Sequence, residues 1–238
     1  MVSRNRVPWR VVAGPGCLMA SGLLAVAAAA QRWWPACLPG DLDSAACLTM
    51  QDSAHDFMVP NQGWTPDAGA AELYGVGLLL LAVACVVLPG LLVGSDPGAQ
   101  LTVASWVVAL GIAVVGSATA LSGLRGQVVT VPGHEVAAVL WVLGPPVLAV
   151  LGLVSGRLTS ARFGWRMGVV AALLVGNPAA QFLFAPAVLG YVSHDTTPWT
   201  EAVGGAGLAV GGALLLVACR PAPHPATGPI RSSPYPMI

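Results

Sequence analysis

Long apolar runs alternate with short polar gaps along most of the chain. Crossing a hydrocarbon core of about 30 Å takes roughly 20 helical residues. Six runs meet that length, at approximately 11–30, 72–93, 101–121, 136–154, 167–189 and 202–219, and none of them carries a charge in its interior. The pattern predicts an all-α fold: a polytopic membrane helical bundle of six transmembrane helices, forming one integral membrane domain over residues 1–238.

The first run has a second reading. Arg4, Arg6 and Arg10 ahead of an apolar stretch that ends in small residues at Ala30 also describe a secretory signal peptide. The stretch is longer than a typical signal core and leads into Trp33 and Trp34, so a retained anchor is expected.

Composition excludes a soluble domain. Hydrophobic residues make up 56% of the chain and charged residues 8%, against roughly a quarter charged in ordinary soluble domains. The formal net charge of zero conceals a sorting by loop. Arg4, Arg6, Arg10, Arg157, Arg162, Arg166, Arg220 and Arg231 fall in one set of gaps, and all the carboxylates except Asp96 fall in the other. This is the positive-inside pattern. It predicts cytoplasmic N- and C-termini, external loops at 31–71, 122–135 and 190–201, and a cytoplasmic tail at 220–238.

Aromatic residues mark the same boundaries, Trp9 and Trp165 inside and Trp33, Trp34, Tyr74, Tyr191 and Trp199 outside. The absence of lysine and the wealth of Ala, Gly, Val and Leu suit a GC-rich bacterial genome, hence a bacterial plasma membrane. No basic patch offers a footprint for nucleic acid. No Gly-x-x-x-x-Gly-Lys loop is present either, so direct nucleotide binding is not expected.

Candidate chemistry concentrates outside. Cys37 and Cys47 share the first external loop, where an oxidising compartment favours a disulfide that braces it. Each external loop also holds a histidine followed at once by a carboxylate: His55-Asp56, His134-Glu135 and His194-Asp195. Imidazole and carboxylate are standard ligands of zinc and other transition metals, so three loops meeting on one face would make these six residues a candidate site for a divalent metal. Adjacent residues point apart, so ligation would have to cross loops. Otherwise they are solvated loop ends. His134-Glu135 begins like the zinc-protease helix, but Ala138 occupies the place of its second histidine.

Within the membrane, Asn177 and Gln181 share a helical face beside Pro178, which should kink the fifth span. Their amides serve either a substrate path or interhelical hydrogen bonds. Gly144-Pro145-Pro146 should bend or break the fourth span. Gly207 and Gly211 suggest close packing of the last span. Residues 55–85 also echo 194–219, as in a duplicated hairpin, although Thr65-Pro66 and Thr197-Pro198 are also ordinary helix starts, with Thr as cap and Pro in the first turn.

With no buried ionisable residue visible, an autonomous ion-driven transporter is disfavoured. The sequence supports a non-enzymatic membrane subunit that aids transport, export or envelope assembly with protein partners or as a homo-oligomer in the lipid bilayer. The other reading is an outer-face metal-dependent enzyme built on the His-acid pairs.

Overall fold

The computed structural model describes residues 9–38, 40–58, 60, 62–67, 69–93, 98–155, 160–181, 187, 190 and 195–219, with the backbone alone at 10, 92, 155 and 160–166. Among these residues the secondary structure is helical, with no strand. The α-helices are α1 (Trp9–Trp33), α2 (Ala45–Met50), α3 (Ala70–Val93), α4 (Ala99–Arg125), α5 (His134–Ser155), α6 (Ser160–Val175) and α7 (Thr200–Ala218). His194 and Tyr191, together with Arg4, Arg6, Asp96, Arg157, Arg220 and Arg231, lie outside the described residues.

Five stretches are long and apolar enough to cross a membrane: Val11–Trp33, Ala70–Leu91, Ala99–Arg125, His134–Val154 and Thr200–Ala218. The fifth run of the sequence behaves differently from the expected 167–189 span. Its helix starts earlier and stops at Val175. At 1.5 Å per residue, its 16 residues reach about 24 Å, short of a full crossing. The cause is local: the Gly176 N–H still bonds the Ala172 carbonyl at 2.9 Å, but the Asn177 N–H tightens onto the Leu174 carbonyl at 3.1 Å and Pro178 has no N–H to continue the ladder. The helix resumes at 178–181, where the Asn177 Oδ1 accepts from the Ala179 N–H at 3.0 Å and caps the new start.

Side-chain contacts establish that successive long helices alternate in direction. The end of α1 meets the start of α7 through Arg32 and Glu201, and Glu72 at the start of α3 lies against Gly123 near the end of α4. The helices close a circuit in which α1 packs on α3, α3 on α4, α4 on α5, α5 on α6, α6 on α7 and α7 on α1. The outward faces of α4 and α5 expose Val103, Trp106, Leu110 and Leu124, and Val136, Val139, Leu143 and Val147. Such apolar faces suit lipid, where van der Waals packing of small residues draws helices together.

That packing is tightest between α1 and α7. A Cβ at Gly205 would stand 2.6 Å from the Gly22 carbonyl oxygen, and one at Gly212 would stand 2.6 Å from that of Pro15. Gly207 and Gly211 face α6 instead, against Val175 and Ala172.

Gly144-Pro145-Pro146 does not break α5, which stays helical throughout. Pro146 has no N–H to offer the Val142 carbonyl one turn back. The Asn177 Nδ2 supplies the missing donor at 2.6 Å from the break that follows α6. A side chain at the break in one helix thus repairs the proline defect in its neighbour.

Candidate functional site beneath the loop cap

The segment between α1 and α3, expected to be the first external loop, folds into a cap. The expected Cys37–Cys47 disulfide forms, and it ties the segment after α1 to α2. Ser44 caps α2 by accepting from the Cys47 N–H at 3.2 Å. The Gln51 Nε2 donates to the Leu42 carbonyl at 3.0 Å, which closes the loop on itself. The exposed large apolar residues among those described here are Trp34 and, on α2, Leu48.

Arg32 joins this cap to the bundle. Its guanidinium is fully buried and donates to the Met50 carbonyl at 2.9 Å, the Asp52 carbonyl at 3.3 Å, the Thr196 Oγ1 at 2.7 Å and the Glu201 Oε1 at 3.4 Å. The guanidinium also lies 4.1 Å from the centroid of the Trp33 ring. Burying an isolated charge costs several kcal/mol, so Arg32 is tolerable only with its partners in place. Glu201, equally enclosed, accepts from the Trp33 Nε1 at 2.9 Å and from Arg32. The Thr196 Oγ1 donates onward to the Gln51 carbonyl at 2.7 Å, and the Trp199 Nε1 donates to the Cys37 carbonyl at 2.7 Å. The segment before α7 therefore clamps the cap at several points.

These contacts correct the sequence reading in three places. A bundle lacking buried ionisable residues was expected, but α1 ends and α7 begins with a buried charged group under the cap, each just outside the expected charge-free span. Trp33 and Tyr74 do not face the lipid interface. Trp33 is fully buried on Glu201, and Tyr74 makes edge contacts with Phe57 at 5.4 Å and Trp141 at 6.3 Å. Finally, Thr197 does not cap α7. The N-cap is Trp199, held at φ 65° without a side-chain cap, an unusual backbone for a bulky residue and one secured by its bond to Cys37.

The His-acid pairs take separate roles. His55 does not act with its neighbour Asp56. Its Nδ1 lies 3.2 Å from the Asp67 Oδ1, while the Asp56 Oδ1 accepts from the Met58 N–H at 2.8 Å. Burial raises the Asp67 carboxyl above its ordinary pKa, opposed by His55 and more weakly by Arg32. The Asp195 Oδ2 accepts from the Ser53 N–H at 2.7 Å, so the cap and the segment before α7 meet there. His134 and Glu135 open α5. The His134 Nδ1 and the Asp67 Oδ2 are buried without a hydrogen-bond partner among the described residues. Among those residues, no three His, Cys, Asp or Glu side chains group closely enough to hold a metal ion.

Beneath the cap lies a cavity of about 50 Å³ lined by Asp56, Met58, Gln181, Asp195, Thr196, Thr197, Thr200 and Glu201. Gln181 also walls a smaller gap of about 10 Å³ deeper in the bundle, beside Tyr74, Leu78 and Trp141. A third, also of about 10 Å³, sits further along the same helices at Cys85, Pro89 and Pro145. The two intramembrane amides thus divide their work: Asn177 bonds α5, and Gln181 walls the cavities.

No protein-family model, curated protein or solved structure matches the chain.

Proposed function

We propose that the chain is a plasma-membrane protein of six spans with both termini cytoplasmic, and that it serves as a non-enzymatic subunit in transport, export or envelope assembly. The sixth span is the run containing α6, completed beyond the break at Asn177. Partner proteins read the outer cap. The observation that carries this is the anchoring of the cap: a disulfide, the Arg32 hub and the Trp199 clamp hold the loop in one shape before any partner arrives. Preorganisation of that kind lowers the ordering cost of association. Leu48 and Trp34 supply apolar contact area on the cap surface.

A photo-crosslinking amino acid placed at Leu48 tests this in native membranes. A discrete protein adduct is expected, and its yield should fall when Cys37→Ser loosens the cap. Recovery of the protein without any adduct would sink the subunit reading.

A second reading, an outer-face enzyme with a divalent metal on His55, His134 and His194 and the carboxylates Asp56, Glu135 and Asp195, draws support from the unpartnered His134 Nδ1. Metal analysis of the purified protein against the triple alanine variant of those histidines decides it. Equal, negligible metal in both would dismiss it.

A further inference from the structure

We propose that the exposed face of α2 docks a positively charged protein segment, an apolar side chain flanked by Lys or Arg. The inference rests on the subunit reading above and names the chemistry of the partner. Ala45, Ala46, Leu48 and Thr49 are exposed on this short helix, while Cys47 is buried in the cap. Leu48, 51% exposed, is the large apolar side chain of that face.

Carboxylates stand beyond both ends of the helix. Asp41 and Asp43 precede it and Asp52 follows it, all three exposed. Nothing basic offsets them within the cap: no Lys or Arg occurs from Trp33 to Gly69, Arg32 is fully buried, and His55 is partly buried against Asp67. A surface of one sign attracts a partner of the other and repels its own kind.

Fixed ends distinguish this face from an ordinary solvated loop. Cys47 is bonded to Cys37, and Ser44 caps the start of the helix. Arg32 holds the Met50 and Asp52 carbonyls at the other end, at 2.9 and 3.3 Å. The Asp52 Oδ1 accepts from the Ala54 N–H at 2.8 Å, which orients that side chain. Six helical residues rise about 9 Å, so the residues bearing these charges are held on either side of a span of about that length. An extended segment covers it in about three residues. The partner's pattern is therefore a cation, one or two apolar residues, and a second cation.

Other occupants fit less well. Among the described residues, the carboxylates do not group closely enough to hold a metal ion. A second copy docked through the same face would set like charges opposite one another. Anionic lipid headgroups would meet the same repulsion.

The test places a photo-crosslinking amino acid at Leu48 of the full chain in native membranes and identifies the captured peptide by mass spectrometry. Lys or Arg within about three residues of the attachment point is expected. The yield should fall about tenfold in the triple variant Asp41→Asn, Asp43→Asn, Asp52→Asn, because each exposed ion pair contributes modestly and three are lost together. Raising sodium chloride from about 50 to about 500 mM should lower the parent's yield and leave the variant's unchanged.

Should the triple variant fail to form the Cys37–Cys47 bond, Thr49→Lys puts a cation on the same face without touching a carboxylate, and it should also lower the yield. Equal yields in parent and folded variant, or an adduct to a segment without basic residues, would overturn this proposal and leave the subunit reading standing. An adduct to a second copy of this chain would overturn it too. Recovery without any protein adduct would remove both.

Discussion

The repair of α5 by Asn177 gives a sharp prediction, because donor and defect lie on different helices and can be removed separately. Asn177→Ser deletes the Nδ2 that reaches the Val142 carbonyl but leaves an oxygen able to cap the helix restart at Ala179. The Val142 carbonyl then has no donor, since Pro146 cannot supply one. Hydrogen bonds between membrane helices contribute about 0.6–2 kcal/mol, and an orphaned buried carbonyl costs about 1–3 kcal/mol. A loss of about 1–2 kcal/mol is expected in reversible SDS unfolding followed by circular dichroism.

In a Pro146→Ala background the backbone N–H of residue 146 returns, and the same Asn177→Ser change should cost less than about 0.5 kcal/mol. The coupling of about 1 kcal/mol is the quantity that matters, because a double-mutant cycle cancels effects on either helix alone. Equal losses in the two backgrounds would refute the repair.

Three further outcomes are expected. Cys37→Ser or Cys47→Ser should lower stability by about 2–3 kcal/mol for a loop of this length, and reductant should reproduce the loss in the parent chain but not in the variant. Arg32→Met or Glu201→Leu alone should cost about 3–5 kcal/mol by stranding a buried charge, with the double variant costing less than either; additive losses would contradict the pairing. Asp67 has a folded-state pKa raised above 3.8, so its favourable contribution is complete below that value and is lost as pH rises through the elevated folded pKa. Asp67→Asn should flatten that part of the stability profile, and a profile that keeps its slope would show that burial does not govern this carboxyl.

Span positions were legible because a bilayer imposes length and apolarity on short, contiguous stretches. Their ends were less so: His134 and Glu201 look like loop residues but occupy first turns, where helices accept charge. The Cys37–Cys47 bond followed from compartment and spacing alone. Arg32 and Glu201 escaped notice because each stands at a span boundary, where charges are ordinary, and only the cap folding over them makes them buried. One signal was present, since Arg32 lies on the face where arginine is scarce. Asn177 and Pro146 each stood out as irregular in an apolar run, but their complementarity required knowing which helices are neighbours. The glycine pair Gly207 and Gly211 conformed to a known spacing, whereas Gly22 and Gly205 make the tight crossing from different helices, which no motif within one run can reveal.

The separation of 169 residues between Arg32 and Glu201 sets an order of events. At roughly 5–20 residues per second of synthesis, Arg32 is made about ten to thirty seconds before Glu201. During that interval its donors must stay hydrated, and the cap must stand open. Closure therefore reports that the last helix has arrived, and a chain stalled before Thr196 should carry an Arg32 segment that proteases reach from outside while the finished protein resists them. The buried guanidinium thus acts as a checkpoint on completion: the outer face takes its final form only when the whole bundle is in place.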